Sequence, residues 1–400
     1  MSINPVVTFN QNTDYITKSY GRNAECAAIF KLFNEGKNLS MHGPRRLGKS
    51  FVLDRLVELG ADNGYEVVKI EIAGCQSADE VYGKICDAVH ARQPEYKVGW
   101  DTLVQRVNQV LMPKANQAAT LQQAVLNVSW SYVFEQTLKK LHETKKGKGW
   151  VILIDELPIF LGSLHQSNQT AAARNFMNSL NALSSETHSI RWLLTGSIGI
   201  DPLATAGNYQ GAMAKFTPFW LEPLGNPEAK DFLQDLVAKN TLKRTKPFSE
   251  LEMDTILAEL GWNAAYYLEV IAKACPATVP NTSEEAEIWI AEASKVALKD
   301  NAAWGIAAEH VRKHYVNTDK SLAFSVLNAL SEDQNGATVN ALLPGLEKVE
   351  TRPAAIKKIL MQLADDNILV CNDAGGLHKH FKFHLPLQRK WWDKHAPIES

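Results

Sequence analysis

What this sequence lacks narrows it quickly. Its 400 residues contain no run of about 18 apolar residues, so no membrane-spanning helix is expected. It has no C-x-x-C pair. The five cysteines, Cys26, Cys75, Cys86, Cys275 and Cys371, are odd in number and dispersed, which reads as reduced core thiols of a cytoplasmic protein rather than a disulfide framework or a zinc site. Neither sign of charge dominates: 42 Lys and Arg against 44 Asp and Glu leave a formal net charge of −2, so any basic surface for nucleic acid must be local. Repeats and low-complexity tracts are absent. The polar start "MSINPVVTFNQNTDY" has no basic-then-apolar signal pattern. With 45% hydrophobic residues, the chain can fill one large core or two to three smaller ones.

What is present changes character along the chain. "NAECAAIFKLFNEG" and "KSFVLDRLVELGADNG" carry apolar residues at helical spacing. "SADEVYGKICDAVHAR" opens on a Ser cap with acidic residues in its first turn. "YEVVKIEIAG" alternates like a strand. "WVILID" and "IRWLLTGS" are continuous apolar runs, as strands buried on both faces should be. Strands alternating with helices predict an α/β fold with a parallel sheet over residues 1–224. Residues 93–129 are looser and rich in Gln, Asn and Ala, and read as a largely helical insertion. From 225 to 318 every pattern is helical. From 319 to 400, "SLAFSVLNALS", "ATVNALLPGL" and "RPAAIKKILMQLADDN" precede the strand-like "ILVCND" and "LHKHFKFHLP". Three helices and a hairpin predict a winged helix-turn-helix.

One stretch carries chemistry. "GPRRLGKS" spells G-x-x-x-x-G-K-S from Gly43 to Ser50. Glycines at Gly43 and Gly48 let the backbone turn tightly, so that N–H groups point at phosphate oxygens. Lys49 can reach the outer phosphates, the Ser50 hydroxyl can ligate Mg²⁺, and the helix that follows presents its positive end. A Gly-Lys-Ser surface turn could produce the same letters, at about one chain in a hundred of this length. The strand before the turn and the apolar helix after it argue against that.

Two further elements support the reading. "VILIDE" puts Asp155 and Glu156 at the carboxyl end of a buried strand, where Asp can hold Mg²⁺ and Glu can act as general base toward water. "LLTGS" puts Thr195 and Ser197 at the end of the next strand, where a hydroxyl can meet phosphate or water.

With these elements in place, the chain resembles the AAA+/STAND P-loop ATPases, and among them the archaeal-type ATPase family related to origin-recognition initiators. "YGRNAECAAIF" is similar to the family's Gly-Arg box, "GPRRLGKS" to its Arg-Arg form of the phosphate loop, "VILIDELP" to its Mg²⁺ strand and "LLTGS" to its sensor strand. The resemblance spans nearly the whole chain, least around 93–129. It implies an ATP- and Mg²⁺-binding switch. Gly43, Pro44, Arg45, Arg46, Leu47, Gly48, Lys49 and Ser50 would hold phosphates, and Gly21 and Arg22 would lie near the base. Ser50 and Asp155 would hold the metal, with Asp155, Glu156 and Thr195 as catalytic residues.

Two departures stand out. The lid stretch "LGWNAAYYLEV" has no arginine where initiator-type relatives place one, and Asn263 stands where a STAND lid commonly has Pro. Arg191, and after it Arg174, is the nearest arginine to a finger position at the end of the helix before the sensor strand.

The partner stays open at this level. The third helix of the winged module offers Arg352, Lys357 and Lys358 to DNA, and the wing adds His378, Lys379, His380 and Lys382. Asp365, Asp366 and Asp373 offset them. Three alternatives follow: a nucleotide-driven DNA-binding ATPase, a signalling or defence ATPase acting on protein partners or as a homo-oligomer, and a nucleotide-sensing scaffold without turnover. His378, His380 and His384 alternate and would share one face of the wing, opposite Phe381 and Phe383; with no Cys or acidic cluster beside them they read as surface histidines rather than metal ligands. Trp391 and Trp392 read as packing residues.

Overall fold

The structure is a computed structural model that describes residues 22–92, 130–143, 147–196, 200–278, 280, 282–315, 317–372 and 379–397. The expected insertion around 93–129 lies outside them, as do Gly21, Ser197 and His378. The chain forms two compact units. One comprises residues 22–42 and 49–221, and the other joins residues 43–48 to residues 222 onward.

The first unit runs α1 (Asn23–Asn34), β1 (Asn38–His42), α2 (Lys49–Leu59), β2 (Tyr65–Glu71), α3 (Ala78–Arg92), α4 (Trp130–Glu143), β3 (Gly149–Asp155), α5 (Leu157–Gln166), α6 (Thr170–Glu186), β4 (Ile190–Thr195), α7 (Ile200–Gly207), α8 (Gln210–Met213) and β5 (Phe216–Trp220). Its strands form one sheet in the order β2-β3-β4-β1-β5, and every pair is parallel. Parallel pairing follows from helical crossovers, which bring each strand back in the same direction. Every residue of β3 is buried, as its unbroken apolar run requires. Ile152, Ile154, Trp192 and Leu194 share a core with Phe134, Phe160 and Phe176 from the covering helices. The Asn38 side chain accepts a hydrogen bond from the Trp192 amide at 3.1 Å and fastens β1 to β4 near their starts. The α/β fold expected from the alternating pattern is therefore present.

The second unit begins with α9 (Asn226–Ala238), α10 (Glu250–Leu260), α11 (Ala265–Ala274), α12 (Ser283–Ala297), α13 (Asn301–Trp304) and α14 (Ile306–His314). It continues with α15 (Asn317–Ser331), β6 (Ala337–Thr338), α16 (Val339–Leu346), α17 (Pro353–Asp365), β7 (Leu369–Asn372), β8 (His380–Phe383) and α18 (Pro386–His395). The three expected helices and the hairpin are all there. The hairpin is wider than expected: β6 pairs antiparallel with β8, giving a three-stranded order β6-β8-β7.

One histidine departs from expectation. His384 leaves the strand, and its ring packs edge-on against Trp262, 4.8 Å between centroids. Burial pushes its pKa below the ordinary histidine value. It is a packing residue, not part of an exposed wing face. Trp391 and Trp392 are buried, and the Trp392 indole donates to Asn328 Oδ1 at 2.6 Å.

Four of the five cysteines are buried and Cys371 is half-buried. Burial pushes the thiols of Cys26, Cys86 and Cys275 up to about 12. Among the described residues no helix is long and apolar enough to cross a membrane.

Arg244 sets the start of α10. Its guanidinium donates to both Glu252 carboxylate oxygens (2.9 and 3.4 Å) and to the carbonyls of Lys246 and Pro247, and lies 3.9 Å from the Phe248 ring centroid. Glu252 also completes a capping box with Ser249. Arg244 and Glu252 are both almost fully buried. Arg244→Met should therefore cost roughly 3–5 kcal/mol in chemical denaturation, because it strands Glu252 as an unpaired buried carboxylate.

Candidate functional site

Six residues separate the end of β1 at His42 from the start of α2 at Lys49. Gly43 takes φ +149° and Gly48 φ +97°, backbone conformations that side chains resist. Both motif glycines are thus required by the turn itself. Arg46 adopts φ +67° despite its side chain. Leu47 and Lys49 are buried, whereas Arg46 is exposed. The first N–H groups of α2 have no partners within their own helix and follow directly on the turn.

Parallel pairing puts the ends of β3, β4 and β1 at one edge of the sheet. Asp155 is the last residue of β3 and only 4% exposed. Its Oδ1 accepts from the Glu156 amide at 3.0 Å. Ser50 stands beside its carboxylate and favours the charged form, and Lys69 Nζ stands 3.9 Å from Oδ2. Burial pushes Asp155 above the ordinary carboxylate range, against the opposing pull of Ser50 and Lys69. Glu156, at φ +59°, occupies the left-handed region before α5. Such a conformation costs a non-glycine residue about 1–2 kcal/mol.

Thr195 ends β4 and is fully buried. Its hydroxyl donates to the Met41 carbonyl at 3.2 Å, across the β1–β4 pair. Next to it, a Cβ on Gly196 would stand 2.2 Å from Pro158 Cδ, so the exit of β4 packs directly on the first turn of α5.

Lys69 was not singled out in the sequence. It comes from β2, donates to Asp54 Oδ1 at 2.6 Å and to the Ser50 carbonyl at 3.2 Å, and so holds the first turn of α2 beside Asp155. A charged residue at an interior strand position was the available signal. Ser50 and Asp155 supply adjacent oxygen donors, the chemistry a hard divalent cation such as Mg²⁺ takes, with room in its shell for phosphate and water oxygens.

Other candidates lie apart. Arg22 precedes α1, is buried and pairs with Glu25. Arg191 is not at a helix end. It is the second residue of β4, at the opposite end of that strand from Thr195, and donates to the carbonyls of Phe33, His188 and Ile190. Strand direction, invisible to sequence proximity, decides this. Arg174 lies in the first half of α6 and donates to the Gly207 carbonyl at 2.9 Å.

No family model matches the chain, and no curated protein sequence matches it. Solved structures do. A Walker-type ATPase of Pyrococcus abyssi superposes with a TM-score of 0.61 at 15% sequence identity, covering 98% of this chain and 98% of that one. The Aeropyrum pernix ORC2 protein, in its ADPNP–ADP complexes, gives a TM-score of 0.56 at 11% identity, covering 94% and 93%. At these identities the likeness is one of fold, and it extends over nearly the whole length of each.

The Asp155 environment yields a signed prediction. Because burial raises its folded pKa, the stability tied to its proton is fully present at low pH and is lost as pH rises through that folded value. Asp155→Asn should therefore raise the unfolding midpoint at neutral pH, and the gain should vanish below the carboxylate range. Denaturation of both proteins across pH checks this.

Proposed function

We propose that this chain is a Mg²⁺-dependent ATP-binding and ATP-hydrolysing switch. The single observation that carries this reading is the meeting of Ser50 and Asp155. They come from separate motifs about a hundred residues apart and stand side by side where β3 ends and α2 begins. The turn from Gly43 to Gly48 would wrap the phosphates with main-chain N–H groups, and Lys49 would balance their charge. Ser50 and Asp155 would hold Mg²⁺, whose positive charge offsets that of the phosphate oxygens. Glu156, which follows the strand in a left-handed backbone, would accept the proton of the attacking water. Thr195 would turn its hydroxyl from the Met41 carbonyl to a phosphate or water oxygen. The fold shared with a Walker-type ATPase and with a protein solved with ADPNP and ADP supports the nucleotide reading.

In this reading residues 1–224 bind nucleotide, 225–318 form a lid, and 319–400 form a winged helix that carries the output. Two of the basic residues that would meet DNA are engaged already. Arg352 pairs with Glu350 at 2.7 Å and Lys358 with Asp319 at 2.6 Å. DNA phosphates would have to compete with two carboxylates in exposed pairs, a small term against DNA.

Three outcomes test this. Lys49→Ala should weaken ATP binding by calorimetry at least tenfold, about 1.4 kcal/mol, without lowering the unfolding midpoint. Glu156→Gln should keep ATP binding and lose roughly 10²–10⁴-fold in turnover; normal turnover would place the base elsewhere. ATPase activity should be unchanged by added DNA. Stimulation with a steep salt dependence would restore the DNA reading.

A further inference from the structure

Arg46 is placed as few surface arginines are. It takes a left-handed backbone that glycine would occupy without strain. Its guanidinium carbon lies 4.3 Å from the centroid of the Tyr266 ring. Both residues belong to the same compact unit, since residues 43–48 group with those from 222 onward. Among the described residues the guanidinium makes no hydrogen bond and no ion pair. The ring is itself held: Tyr266 meets Tyr267 edge-on at 5.3 Å, and Tyr267, buried, stacks on Trp304 at 4.9 Å.

The chemistry of this contact is specific. Stacking uses the face of a guanidinium and leaves its in-plane N–H donors at the edge. An arginine held so keeps its charge and its fork of donors, and has already lost the rotamer freedom that anion binding would otherwise remove. Its attachment point is the turn read above as the phosphate cradle.

We propose that Tyr266 is a positioning residue for nucleotide binding: it clasps Arg46 by its face and presents the guanidinium edge to the phosphate chain of a nucleoside triphosphate in the turn. This rests on the nucleotide reading. It makes the first turn of α11 a part of the phosphate site through a ring, while the positive charge comes from the turn. Nucleotide occupancy and the position of α11 are then coupled through one stacking contact.

The test is a double-mutant cycle read by calorimetric affinity for ATP and for ADP, with unfolding midpoints measured alongside. Arg46→Gly removes the cation and keeps the backbone conformation. Tyr266→Leu removes the π face and keeps apolar bulk, and Tyr266→Phe keeps the face. Arg46→Gly and Tyr266→Leu should each weaken ATP binding about fivefold, the double variant should be no weaker than Arg46→Gly alone, and Tyr266→Phe should bind as the parent does. The clasp is overturned if Tyr266→Leu weakens binding as much in the Arg46→Gly background, or if Tyr266→Phe loses as much as Tyr266→Leu. Binding that is present in the parent and lost in Lys49→Ala, with those additive effects, overturns the clasp alone. No ATP binding by the parent overturns the nucleotide reading and the clasp with it.

Discussion

The fold's chemistry depends on the parallel pairing of β4 with β1 on one side and β3 on the other. Parallel ladders align carboxyl ends, so residues from three distant segments reach one edge with no further instruction. Asn38 and Trp192 fasten the far end of the β1–β4 pair, and Thr195 and Met41 fasten the near end. Between them the register is fixed. A slip of one residue would move each strand's terminal polar group by about 3.3 Å and onto the other face. Asp155 stands beside Ser50 because β3 pairs in register with β4, and β4 with β1.

Around this edge, charge is organised tightly. Lys69 holds the main chain of Ser50, the side chain of Asp54 and, more distantly, Asp155. It joins β2 to α2 at the place where α2 leaves the turn. The second unit uses similar means elsewhere. Arg244 pins the start of α10 through a carboxylate, two carbonyls and a ring, and Lys390 reaches Glu259 at 2.6 Å to join α18 to the other end of that helix. In each case a long cation spans elements whose apolar faces alone would leave their rotation unspecified.

Much of this could be read in the letters. Apolar runs gave β3 and β4, glycine placement gave the turn, and helical spacing gave most of the second unit, because each is a local property of consecutive residues. What could not be read depends on distance. Strand β6 is two residues long, below any periodicity, and exists because β8 offers it an edge. Lys69 looked like one polar residue in an alternating strand. Arg191 is close to Thr195 by number and lies at the opposite end of β4 by direction. The stretch "LGWNAAYYLEV" has no arginine of its own, whereas its Tyr266 stacks against Arg46 of the turn.

The left-handed backbones at Arg46 and Glu156 carry a consequence for how such a chain ages. Each residue is held where glycine would rest more easily, and Asp155 places a carboxyl group where burial disfavours its charged form. The substitutions that would erase these features run downhill in folding free energy. A lineage that ceased to use the site would meet no stability barrier to losing it, and drift would tend to replace all three. Together the three mark positions where the fold would accept a more stable residue.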